Sequence, residues 1–254
     1  MNRQLEELLG STRHADNERQ LRTSRIRHEL LSTSRFLNEP NFTRFHAQDI
    51  RQLFDLYDRY FFSGLLRGSL AGDPISFRLS RRMTRAGGKT TRWAPLHSGT
   101  PRRYEIAISA TLLFETFADV QRSIQVTGIR CHNRLDALMR IMEHELVHLG
   151  EMLVWEKSNC SKQPFQSIAG RFFGHTDHRH ELVSPRERAA KQLGLRPGSR
   201  VHFEFEGRRL EGIVNRVTRR ATVLVRDPRG QPYSDGQRYS KFYIPLGMLE
   251  VVGQ

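Results

Sequence analysis

Between Leu135 and Trp155, apolar residues recur at steps of three and four: Leu135, Leu138, Met139, Met142, Leu146, Leu149 and Leu153. That spacing predicts a helix with one apolar stripe. A second helical pattern runs over residues 46–66 on Ile50, Leu53, Phe54, Tyr57, Tyr60, Phe61 and Leu65, closed by Gly64. Between these two helices the period drops to two. Residues 75–80 and 104–109 alternate and predict strands, with another around 90–93 entered through the basic, glycine-bearing turn 81–89. Ser109 is placed to cap a helix through Leu112, Leu113, Phe114 and Phe117. After the long helix comes a loop at 157–161, then a short helix over 163–173 that Gly174 ends.

Past Pro197-Gly198 the chain changes character. Short runs at 200–205, 210–217, 221–227 and 242–252, separated by turns at 206–207, 218–220 and 227–230, predict four or five strands in a small SH3-like β-barrel. Ser184-Pro185-Arg186-Glu187 opens a basic helix in the linker before it. The first 44 residues are polar, with scattered apolar positions at Leu5, Leu8, Leu9, Ile26, Leu30 and Leu31. The expected organisation is a helical or flexible basic extension (1–44), a main α+β domain (45–183), a linker (184–198) and the barrel (199–254).

Charge narrows the class of partner. The 254 residues hold 41 Lys+Arg against 27 Asp+Glu, a formal charge of +14, and such a balance usually answers a polyanion, most often nucleic acid. Arg81, Arg82, Arg85 and Lys89 crowd one turn; Arg219 and Arg220 crowd another, within a stretch (186–229) of 12 Lys+Arg and 5 Asp+Glu. With no aromatics interleaved in the first turn, binding there would follow backbone charge rather than read bases. Two cysteines, Cys131 and Cys160, are too few for a disulfide framework and point to a reducing compartment. No apolar run approaches the roughly 18–20 residues of a membrane span, and the N-terminus lacks a signal peptide's apolar core. The expectation is a cytoplasmic protein, nucleoid-associated in a bacterium.

The long helix carries the chemistry. His144-Glu145-Leu146-Val147-His148 places two imidazoles four residues apart, on one face and within reach of one metal ion. Glu145 stands beside them, where its carboxylate meets a water held at the metal rather than the metal itself. Hydrolytic zinc needs three protein ligands and an open position, so one ligand must come from elsewhere.

Taken in order, several segments resemble the SprT-type zinc metallopeptidase domain shared by Spartan and the bacterial SprT proteins. They are residues 57–66 (Tyr-Asp-Arg-Tyr-Phe-Phe-Ser-Gly-Leu-Leu), residues 77–87 with the Arg-Met turn and its Ala-Gly, residues 106–113, and His144 to His148. The resemblance covers roughly residues 45–182. It implies a zincin-like fold, bound Zn2+, and proteolysis of DNA-associated or DNA-crosslinked proteins, as in DNA–protein crosslink repair. The family's third ligand is a histidine in a His-Gly-x-x-Phe-like segment after the zinc helix. Here that segment reads Asn159-Cys160-Ser161-Lys162-Gln163-Pro164-Phe165. If Phe165 matches the family's aromatic, the ligand position falls on Ser161, beside Cys160, whose thiolate is a good zinc ligand. A turn near Asn159 would also bring His175 level with His144 at about 1.5 Å of rise per residue, so both remain open. The alternative to a peptidase is a nucleic-acid-binding protein with a structural or degenerate zinc site.

Overall fold

The structure, a computed structural model, describes residues 3–95, 97, 100–118 and 122–252. It divides into two units, Met1–Leu182 and Val183–Gln254. Mixed α and β content runs through the chain. The first unit contains α1 (Arg3–Ser11), α2 (Asp16–Thr33), α3 (Ala47–Phe61), α4 (Leu65–Leu70), β1 (Ile75–Ser80), β2 (Gly88–Trp93), β3 (Arg103–Ser109) and α5 (Ala110–Thr116). It continues with β4 (Ile124–Val126), β5 (Ile129–Cys131), α6 (Arg134–Trp155) and α7 (Gln163–Phe173).

Helix α6 is the centre of this unit. Asn133 caps it by accepting from the Asp136 N–H at 2.9 Å, and the left-handed Glu156 ends it. Its apolar stripe is buried, but so are Glu143, His144, Glu145 and Glu151 on other sides. A helix enclosed all round can hold polar side chains only where each finds a partner. The segment 57–66 shows one such arrangement. The Tyr57 hydroxyl reaches Glu143 at 2.7 Å, and the Asp58 carboxylate accepts from Leu66 N–H at 2.9 Å and Arg67 N–H at 3.1 Å. Asp58 thereby caps α4, whose own cap residue Gly64 has no side chain to do so.

A three-stranded sheet of order β1-β3-β2 packs beside α6. β1 runs parallel to β3, with Phe77 opposite Ile106; β2 is antiparallel to β3, with Thr90 opposite Ile106. The strands form where expected, but only β1 alternates throughout; β3, the central strand, is buried on both faces from Ile106 to Ser109, and β2 begins at Gly88. A Cβ there would lie 2.5 Å from Glu145 Oε1 and 2.7 Å from the Ile141 side chain. Only glycine lets the strand come this close to the helix. The β4–β5 hairpin is new, since three-residue strands are too short to show a period. Thr127 (φ 56°) and Gly128 (φ 77°) make its two-residue turn, the left-handed pair such hairpins need. Cys131 lies in β5, where burial pushes its thiol up to about 12.

The N-terminal segment is packed rather than loose over its described residues. Leu5, Leu9, Ile26 and Leu30 are fully buried, and Arg171 of α7 donates to the carbonyls of Leu9 and Thr12 at 2.5 Å. Four apolar residues at i, i+4 spacing suffice because each meets another helix rather than its own neighbours.

The second unit holds α8 (Pro185–Leu193), β6 (Arg200–Phe205), β7 (Arg208–Val217), β8 (Arg220–Pro232), β9 (Arg238–Pro245) and β10 (Glu250–Val251). The strands form one antiparallel sheet of order β10-β6-β7-β8-β9. Its core includes Val201, Phe203, Val214, Val223 and Ile244, together with Ala189 of α8 and Leu195. The segment expected to be a linker therefore belongs to the core of this unit. Ser184 caps α8 through the Glu187 N–H, and Gly194 ends it. No helix among the described residues is long and apolar enough to cross a membrane.

Candidate metal centre

One turn of α6 separates His144 from His148, and their Nε2 atoms face each other at 3.1 Å. A tetrahedral zinc with bonds of ~2.0–2.1 Å holds two nitrogens about 3.3 Å apart, so the spacing suits a shared ion. Cys160 joins them from the turn before α7: the ligand atoms of His144, His148 and Cys160 all lie within 4.8 Å of one another. That turn is tied by Asn159, whose side chain accepts from Ser161 N–H at 3.0 Å and from Ser161 Oγ at 2.7 Å. Ser161 thus spends its hydroxyl on Asn159, and Cys160 is left to face the histidines. The Phe165 ring sits 4.8 Å from the His144 ring and 4.5 Å from that of His148, an apolar wall for the site.

The proton positions follow from one short chain of hydrogen bonds. Ser158 Oγ donates its only proton to Glu151, so it must accept from His148 Nδ1–H, 2.6 Å away. The Nε2 lone pair of His148 then points at His144. Burial holds the pKa of His148 down at about 4 and that of His144 far below the ordinary histidine value, so both rings are neutral, the state that metal binding requires. His144 Nδ1 is buried with no partner among the described residues. The buried Nδ1 lacks a partner in either tautomer; when it carries the proton, the two Nε2 lone pairs are also opposed, and a cation between the Nε2 atoms resolves that opposition. Burial also raises the Cys160 thiol; a thiolate there needs a cation beside it. Two imidazoles, a thiolate and one open position are a donor set that zinc favours.

Glu151 is buried and acts on His148 through Ser158. Such outer partners fix the tautomer and orientation of a ligand. Ser158→Ala should weaken zinc affinity about 10–100-fold, measured by competition with a chromophoric chelator; an unchanged constant would remove this role.

His175 is not a donor to this site. Its Nε2 lies 2.8 Å from Glu143 Oε2, in a buried group where Glu143 also accepts from Tyr57 and, at 2.7 and 2.9 Å, from Arg140 Nη1. The turn at Gly174 does bring the chain back to the level of His144. Glu143 precedes His144 by one residue, however, and so points about 100° around the helix. The level at which the returning chain meets the helix can be counted from sequence; the side on which it packs cannot. Burial would raise the Glu143 carboxyl, but Arg140, His175 and Tyr57 together hold it below its ordinary value. Arg140→Met would leave that charge buried beside neutral groups, and should cost about 3–5 kcal/mol in denaturant unfolding.

The other residues around the site and the predicted arginines separate. Glu145, next to His144, turns toward β2, where Thr90 Oγ1 donates to Glu145 Oε2 at 2.8 Å. Burial pushes its carboxyl up to about 7 against the pull of that hydrogen bond. His180 packs its ring 4.7 Å from the His144 ring, carried there by the Val126–His180 bridge from the β4–β5 hairpin; it is outside the donor set. His178 is half-buried beside Asp177. Arg81, Arg82 and Arg85 are exposed on the turn between β1 and β2, just before Gly88. Arg219 and Arg220 lie in the second unit, at the β7–β8 turn. Glu151, Ser158, Thr90 and Gly88 were not legible as site residues, because nothing in their local sequence distinguishes them from ordinary helix, loop and strand positions. No protein-family model, curated protein or solved structure matches the chain.

Proposed function

We propose that this chain is a zinc-dependent metallopeptidase of SprT type, with a zincin-like catalytic unit and an SH3-like second unit, acting on DNA-associated or DNA-crosslinked proteins. The observation that carries the reading is the meeting of His144, His148 and Cys160 beside a carboxylate, Glu145, held by Thr90. Three donors leave a coordination position open, whereas structural zinc sites are closed by four. When bound, zinc supplies Lewis acidity toward the scissile carbonyl and lowers the pKa of water. Glu145 takes the proton of the attacking water and returns it to the leaving amine. Thr90 orients the carboxylate, and Phe165 keeps the histidine side of the site dry. β2 pairs only with β3 among the described residues, so its outer edge offers backbone groups to an extended substrate. The substrate class rests on the sequence resemblance and on the +14 charge. Both cysteines are free thiols, which agrees with a cytoplasmic protein, nucleoid-associated in a bacterium.

The test is cleavage of a DNA-bound basic protein by the purified chain, with and without DNA and a zinc chelator. Cleavage that needs DNA, is lost on chelation and returns with zinc supports the proposal. Full zinc occupancy without cleavage of any protein would favour the rival reading, a nucleic-acid-binding protein with a structural zinc.

A further inference from the structure

The second unit has an outward sheet face on which cations share rows with an exposed aromatic ring. Strand alternation sends Val214, Val223 and Ile244 into the core and their neighbours outward. Arg216 shares the parity of Val214 and would point inward, but the ladder shifts between Val214 and Arg216. This bulge re-aims the side chain. Arg216 then stands opposite Thr222 of β8, and Thr222 opposite Tyr243 of β9. The next row is Ile213, Leu224 and Lys241; on the other side Arg220 lies opposite Pro245.

No carboxylate occupies any of these positions. Arg216 and Arg220 make no ion pair among the described residues, and Lys241 finds a neutral oxygen, Gln231 Oε1, at 3.1 Å. Two other arginines of the unit are paired with carboxylates, Arg200 with Glu211 and Arg209 with Glu250, each at 2.7 Å. Cations without a facing carboxylate thus stand in the rows around Tyr243, which is 62% exposed, together with Ile213, itself 40% exposed. Arg216 and Tyr243 are two strands apart, about 10 Å at the usual strand spacing.

We propose that this face binds single-stranded nucleic acid, with Tyr243 stacking on a base and Arg216, Arg220 and Lys241 holding phosphates. The ligand must be anionic along its backbone and must offer a flat apolar surface beside the charge. A single strand does both, because its bases are free to leave the stack. A duplex hides its base faces, and an acidic peptide has no use for the ring. The inference extends the sequence reading of Arg219 and Arg220 from a charged turn to a sheet surface. It does not depend on the metal centre.

The experiment measures binding of a labelled dT oligonucleotide, and of a duplex of equal length, to the full chain by fluorescence anisotropy across a salt series. Wild type should prefer the single strand. Tyr243→Ala should weaken that binding roughly 5- to 150-fold, the loss expected for one stacked base, while Tyr243→Phe retains it. Tyr243→Thr, which keeps a β-branched residue in the strand, should match the alanine variant, with circular dichroism confirming the fold. Arg216→Gln with Arg220→Gln should reduce the slope of log K against log salt by about 0.7 for each cation removed. The proposal fails if wild type does not bind the oligonucleotide, or if duplex binds equally and Tyr243→Ala changes neither. It also fails if polyglutamate competes as well as nucleic acid does, which would assign an acidic protein partner.

Discussion

Glu145→Gln should leave zinc bound and lower peptide-bond cleavage about 10²–10⁴-fold, the usual worth of general acid–base catalysis. The substitution is close to isosteric, and the amide oxygen still accepts the Thr90 hydroxyl, which lies 2.8 Å from Glu145 Oε2. What is lost, on the proposed mechanism, is the group that takes a proton from water and returns it to the amine. The position is buried and crowded: a Cβ at Gly88 would already lie 2.5 Å from Glu145 Oε1, so a larger residue would confound chemistry with packing. Two readings are needed together, kcat on a protein or peptide substrate and zinc per chain. Unimpaired turnover with zinc retained would remove Glu145 from the mechanism. Loss of zinc would assign Glu145 to holding the metal site together.

Cys160→Ala should cost more zinc affinity than any outer-partner change, beyond the ~100-fold upper range for such partners, because it removes a donor outright. Cys160→His should restore much of it, since an imidazole nitrogen is also a zinc ligand. His175→Ala should leave zinc in place and lower stability instead, because its Nε2 is bonded to Glu143 and not directed at the site. Metal content, with cobalt substituted for zinc to reveal thiolate-to-metal absorption, distinguishes these cases. The absorption present in wild type and absent from Cys160→Ser supports the thiolate ligand. Stoichiometric zinc held equally by wild type and Cys160→Ala overturns the assignment of Cys160.

Much of the local structure was legible because it depends on contacts a few residues apart. The stripe from Leu135 to Leu153 specified α6, alternation specified β1 and β3, and Ser109 and Gly174 marked a helix start and a helix end as expected. The i, i+4 spacing alone places His144 and His148 on one face. Other elements escaped. β4 and β5 are three residues each, too short for a period to register, although they set the position of His180. Helix α8 was expected as a helix, but its place in the core of the second unit was not, because it buries only Pro185 and Ala189.

The sequence by itself therefore determined the central helix, the strand-forming runs and the pair of histidines, all products of backbone geometry repeated over short spans. Tertiary structure alone decided which distant groups meet them. Cys160 comes within 4.8 Å of the histidine ligand atoms while His175 is turned to Glu143; Ser158 links Glu151 to His148; Gly88 admits Glu145; and a bulge turns Arg216 outward onto the face that carries Tyr243. These outcomes depend on the rotational side of a helix, the register of a ladder and the closeness of two backbones. Packing settles such quantities across tens of residues, where no local period reaches.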